Sequence, residues 1–181
     1  MSLLKDMLSS ISFVGNSLFI YILVATTGLY LLLRKDWIKV LSIILCSVSS
    51  FYSTFLKGVF LETRPMGFVS ESFVPWERLL VWETYSFPST HVVVYTVFFG
   101  YLFYSSYTLK HFDKVIRHLI RSLSAIMVVL VGMSRVSVGA HYIKDVVAGY
   151  LFGFLYLAFV IGLEKLLVQK SKEKLLKHKK L

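Results

Sequence analysis

Long runs without a charged residue dominate this chain: 11–33, 40–56, 92–109 and 146–163 carry none. A bilayer core takes roughly 20 apolar residues in a helix, so each run predicts a spanning helix. A fifth stretch, 115–138, is weaker because Arg117, His118 and Arg121 stand in its first turns, where long side chains snorkel to the interface. With 56% hydrophobic and 16% aromatic residues in 181 and a mean hydropathy of +0.70, a soluble domain is excluded. The chain is read as an all-α, integral membrane bundle of about five transmembrane helices in one domain, 1–181. The spans are placed at 11–33, 37–57, 90–109, 115–138 and 144–167, with a basic tail at 168–181.

The first span exceeds a signal peptide's apolar core, and no small-x-small cleavage site follows in Leu33-Arg34-Lys35-Asp36, so it is expected to stay as a helix. Cys46, the single cysteine, lies within the second span, so an intramolecular disulfide is impossible. Gly149-x3-Gly153 in the last span lets helices approach closely. Packing within the bundle is the expected use of that spacing; a homodimer face is the other, and a monomer suffices.

Sidedness follows from basic residues in short loops. Five spans leave fourteen lysines and arginines on the side of the tail against six on the other, so the tail is expected to be cytoplasmic. The segment 66–85 is too apolar for an ordinary loop. Phe73, Trp76, Leu79 and Leu80 recur at helical spacing, which predicts an amphipathic helix in the outer interface, with Trp76 and Trp82 at headgroup level.

Three polar blocks interrupt the apolar chain, and the topology brings all of them to the outer face. Lys57 and Arg64 combine a compact charge with a planar fork, suited to several phosphate oxygens, and Pro65 turns the chain out of the helix after Arg64. Pro88-Ser89-Thr90-His91 directly precedes the third span. Ser89 is placed as its N-cap, and the following amides and helix dipole attract anions. Arg135 leaves the fourth span, and His141 and Asp145, four apart, share one face at the start of the last. A carboxylate there can hold one imidazole nitrogen and raise the basicity of the other. Taken alone, each block reads as snorkelling cations, a capping histidine or a helix-start acid; together they make a phosphate site.

The pattern Lys-x6-Arg-Pro, Pro-Ser-x-His, Ser-Arg-x5-His-x3-Asp resembles the signature of the type-2 phosphatidic acid phosphatase superfamily, in its order and spacing. Thr90 stands where most members have glycine. The resemblance implies His141 as nucleophile through a phosphohistidine, Asp145 as its orienter and His91 as general acid, then base. Lys57, Arg64, Ser89, Thr90 and Arg135 would hold the phosphate oxygens. No metal and no cofactor are expected, because three permanent cations would repel a divalent ion. The expected partners are a lipid phosphate substrate and membrane lipids, with no nucleic acid. The implied function is a lipid phosphatase at the extracytoplasmic, periplasmic face of a plasma or inner membrane. The small five-span form without a large outer domain resembles bacterial envelope members that act on lipid A 1-phosphate, undecaprenyl diphosphate or phosphatidylglycerophosphate; lipid A 1-phosphate is the favoured substrate and the other two are the alternatives. A non-catalytic carrier of lipid phosphates is the reading from another class, and the complete set of nucleophile, orienter and acid speaks against it.

Overall fold

The computed structural model describes residues 17–65 and 85–178. Five helices follow one another: α1 Ser17–Leu33, α2 Trp37–Phe60, α3 Thr90–Thr108, α4 Lys114–Ser137 and α5 Ile143–His178. No strand occurs among the described residues, where the only β feature is an isolated bridge between Thr63 and Tyr85. The expected interfacial helix at 66–85 lies outside the described residues, except for Tyr85 at its end.

α3 is the hub, packing on α2, α4 and α5. Val92, Val93, Val97 and Phe98 have no exposed surface, and Tyr95 and Tyr101 keep about 1%. That position explains its composition. α2, α4 and α5 are each long and apolar enough to cross a membrane, and the apolar part of α1, Phe19–Leu33, is shorter. α3 falls short of that measure because it carries Thr, Tyr and Ser side chains, and Tyr95, Thr96, Tyr101, Ser105 and Ser106 are buried against other helices. Most apolar residues facing outward belong to its neighbours, among them Phe51 and Phe55 of α2, Leu119 and Val129 of α4, and Leu151 and Phe159 of α5, while α3 exposes Phe103 and Tyr107 near its far end.

Close approach is achieved with small residues. On α2 the buried stripe is Ser42, Cys46, Ser49, Ser53 and Lys57, so four small side chains lead up to one long cation. On α5, a Cβ added to Gly149 would sit 2.9 Å from Val92 Cβ and 3.1 Å from the Ser89 carbonyl, and one on Gly153 2.8 Å from Thr96 Cβ. The Gly149-x3-Gly153 pair therefore packs within the bundle, on the first turns of α3, as its spacing predicts. This contact sets the distance between the two helix starts that carry His91 and Asp145.

α2 begins at Asp36, whose carboxylate accepts from the Lys39 amide at 3.3 Å, and ends at Leu61 in the left-handed region (φ 53°). α5 runs past the expected end of its span at 167. Its 36 residues reach about 54 Å, well beyond the roughly 30 Å of a bilayer core. The basic tail is thus, up to His178, a continuation of the helix, because its Lys, Glu, Leu and Gln residues are strong helix formers.

Candidate active site

All eight residues expected in the site lie at one end of the bundle. Lys57 is in the last turn of α2, Arg64 four residues past that helix, and Ser89, Thr90 and His91 at the start of α3. Arg135 is in the last turn of α4, His141 in the turn before α5, and Asp145 in the first turn of α5. Loop hydrogen bonds sew these ends together. The Ser89 amide donates to the Asp145 carbonyl (3.1 Å), the Ser86 amide to the Glu62 carbonyl (2.6 Å), and Arg64 Nη1 to the Ala140 carbonyl (3.4 Å). On the outside, Lys144 pairs with Glu62. Residues some 80 apart in sequence are thereby held in one pocket.

At its centre lies a feature that the sequence did not announce. Ser86, with no exposed surface, has its hydroxyl 3.2 Å from His141 Nδ1 and donates to Asp145 Oδ2. The carboxylate itself is 3.5 Å from Nδ1, at the edge of hydrogen-bonding distance. Since the hydroxyl gives its proton to the carboxylate, it accepts from Nδ1–H, which leaves the other imidazole nitrogen, Nε2, unprotonated. Asp145 Oδ2 also accepts from the Tyr142 amide at 3.0 Å. The expected His141–Asp145 pair is therefore present but bridged, with the serine between acid and imidazole.

His141 is 4% exposed, and burial pushes its pKa down to about 4; the nearby Asp145 carboxylate opposes that shift, and Arg64 and Lys57 reinforce it. Below about pH 4 the ring takes a proton, so at neutral pH it is a free base with a lone pair on Nε2. Among the described residues, nothing hydrogen-bonds to Nε2.

The cations are divided between support and charge. Lys57, 1% exposed, donates to the carbonyls of Tyr85 (2.5 Å) and Ser86 (3.5 Å), so it anchors the segment that carries Ser86. Its charge still reaches His141. Arg135 is 8% exposed, with Nε 3.4 Å from Ser134 Oγ, and lies within electrostatic reach of Arg64. His91 is half-buried, within electrostatic reach of Arg135, His141, Arg64 and Lys57. Ser89 holds the N-cap position of α3, as expected, and its side chain makes no cap hydrogen bond. Its Oγ is buried without a partner among the described residues, as is Asp145 Oδ1. A buried orphan hydroxyl at a helix start can donate to an anion. Thr90 is engaged sideways, its hydroxyl accepting from Ser53 at 3.0 Å. Among the described residues, no three His, Cys, Asp or Glu side chains converge as metal ligands would.

Ser86 and Ser53 were missed because a lone serine carries no signal among the many of an apolar chain. The one hint was adjacency, since Ser86 stands two residues before Pro88-Ser89-Thr90-His91. Ser86→Ala should lower kcat on the order of 10- to 100-fold with KM nearly unchanged, the value of one hydrogen bond to a charged group. Threonine, which keeps the hydroxyl, should restore part of the rate. A wild-type kcat in Ser86→Ala would show that the bridge is idle.

The comparisons with known proteins cover the stretch of chain that holds these residues. A family model described as the PAP2 superfamily matches residues 35–167, which contain every residue of the pocket. The phosphatidylglycerophosphatase B of Bacillus subtilis (strain 168) is 26% identical over 165 residues, covering 90% of this chain and 76% of its own. The fold is also similar to a crystal structure described as the first transmembrane PAP2 type phosphatidylglycerolphosphate phosphatase from Bacillus subtilis, with a TM-score of 0.74 and 24% identity. That match covers 91% of this chain and 78% of the other.

Proposed function

Given that the chain belongs to the PAP2 superfamily, we propose that this integral membrane phosphatase removes the terminal phosphate of phosphatidylglycerophosphate through a phosphohistidine at His141. The observation that carries the reaction type is the Ser86-bridged pair, which supports an imidazole held neutral, with one nitrogen fixed and the other free, within electrostatic reach of Lys57 and Arg64. Nε2 attacks phosphorus, and the bond to the lipid oxygen breaks as His91 gives that oxygen a proton. His91 then takes a proton from water, whose oxygen displaces the histidine and releases inorganic phosphate. Arg64, Arg135, the Ser89 hydroxyl and the first amides of α3 take up the charge of the equatorial oxygens.

The preference for lipid A 1-phosphate gives way here. The small five-span form is shared by enzymes for all three lipids, and the two relatives described above are both named for phosphatidylglycerophosphate, so lipid A and undecaprenyl diphosphate find no support there. Purified protein assayed side by side on the three lipids tests this choice. Phosphatidylglycerophosphate should be hydrolysed with the highest kcat/KM, and a higher value on either other lipid would overturn the assignment.

The cationic pocket supports turnover without a metal, since the fixed charges supply what an ion would bring. EDTA should change the rate by less than about twofold. Activity that vanished and returned with Mg2+ would reassign His91, His141 and Asp145 as ligands.

Charge asymmetry supports a site on the extracytoplasmic face and a cytoplasmic tail. A reporter fused after Leu181 should behave as cytoplasmic, and a cysteine in the 66–84 segment should react with an impermeant thiol reagent in intact cells once Cys46 is replaced. Labelling only after lysis would reverse the orientation.

A further inference from the structure

A second cluster of cations occupies the opposite end of the bundle. α3 carries His91 in its first turn and Tyr104, Tyr107 and Thr108 at its far end, about 25 Å away along the helix axis. There a cleft of about 490 Å3 opens between α2, α3 and α5, and Lys39, Lys110, Lys165 and Lys172 line it together with those two tyrosines. Val168 and Gln169 add to the same wall, so α5 contributes residues 164, 165, 168, 169 and 172, one face of the helix over two turns.

Lysines that only mark topology need do no more than reach water around a helix end. Here four of them from three parts of the chain face one cavity. Lys39 is paired with Asp36 at 2.8 Å, whereas Lys110, Lys165 and Lys172 have no acidic partner among the described residues. The acidic residue of the lining, Glu164, is buried and engaged elsewhere: Ser42 Oγ and Tyr101 OH both donate to its Oε2, at 2.9 and 2.6 Å. Three lysines without an acidic partner outnumber that one carboxylate, so the cleft keeps a net positive charge. Arg121 adds to it from α4, its guanidinium 4.5 Å from the centre of the Tyr107 ring. Lys165 lies 5.9 Å from the Tyr104 ring, the interfacial pairing of an aromatic with a snorkelling cation. Exposed apolar side chains, Trp37 and Leu166 among them, stand at the same end, which puts the cleft where acyl chains meet water.

We propose that this cleft binds the phosphate headgroup of an anionic phospholipid from the leaflet opposite the catalytic pocket. The lysines meet the phosphate, and the lipid's chains lie along α3 and α5. The inference rests on the cleft alone and not on the substrate or the catalytic roles.

Native mass spectrometry of the full chain, with phosphatidylglycerol or phosphatidylcholine added, reads the site. The wild type should retain phosphatidylglycerol about tenfold better than phosphatidylcholine. A Lys110→Gln, Lys165→Gln, Lys172→Gln variant should lose that preference while hydrolysing a water-soluble phosphate monoester at the wild-type rate. Lipid held in the catalytic pocket contributes equally to both proteins, so the difference reads the cleft. Equal retention by the two proteins, or no preference in the wild type, would overturn the proposal. Inorganic phosphate forms a third arm, and displacement of phosphatidylglycerol by it would make this a site for free anions and sink the lipid assignment. Should the triple variant fail to insert, Lys110→Glu alone must lower the preference several-fold, and an unchanged ratio would again overturn it.

Discussion

His141→Ala should lower turnover by on the order of 10^4-fold or more while leaving the protein folded and able to bind phosphate. No neighbour can take its place. The imidazole sits at the meeting of three chain segments, with Ser86 on one nitrogen, and the nearby Lys57 and Arg64 are cations that cannot attack phosphorus. Wild-type protein quenched during turnover of labelled substrate should carry an acid-labile phosphoryl group on His141. A variant with near wild-type rates would remove His141 from the mechanism and reopen the assignment of every other role.

Asp145→Asn should cost on the order of 10^3- to 10^4-fold in kcat, for a reason that geometry makes specific. An amide can present an N–H where the carboxylate presents a lone pair, so the Ser86 hydroxyl would turn its proton towards His141 Nδ1. That reverses the tautomer and leaves Nε2 protonated and unable to attack. Raising the pH from about 6 to about 9 should not restore the rate, because burial already keeps His141 neutral down to about pH 4. Recovery at high pH would mean instead that the carboxylate acts by setting the charge of the ring and not its orientation. Phosphate affinity should not fall, since Asp145 hydrogen-bonds to Ser86 and the Tyr142 amide and its charge, which also reaches Lys57, opposes an anion.

Much of this was legible along the chain, and the reason is that bilayer and phosphate chemistry both write in residue types. Uncharged runs near the thickness of a membrane specify helices whatever they pack on, and the structure keeps helix boundaries within a few residues of 37–57, 90–109 and 115–138. Gly149 and Gly153 announced a close approach, which falls on Ser89, Val92 and Thr96. The end of the last span was less legible: apolarity stops near 163, but helical propensity continues through the lysines to His178.

The sequence by itself determined the fold class, the single pocket and the residue types in it, because a lone histidine or arginine is ambiguous but three blocks on one side of a bundle are not. What each group does there was decided only by tertiary structure. Lys57 is directed to the backbone of Tyr85 and Ser86 because α2 ends beneath that segment, and Ser86 enters the His141–Asp145 pair because Ser89 and Asp145 are clamped together where Gly149 lets α5 touch α3. The basic cleft at the far end is likewise invisible in one dimension, where its lysines read as scattered anchors. Contacts between residues 50 to 130 apart depend on how helices cross, and crossing distances are set by side-chain volumes at interfaces that no local pattern encodes.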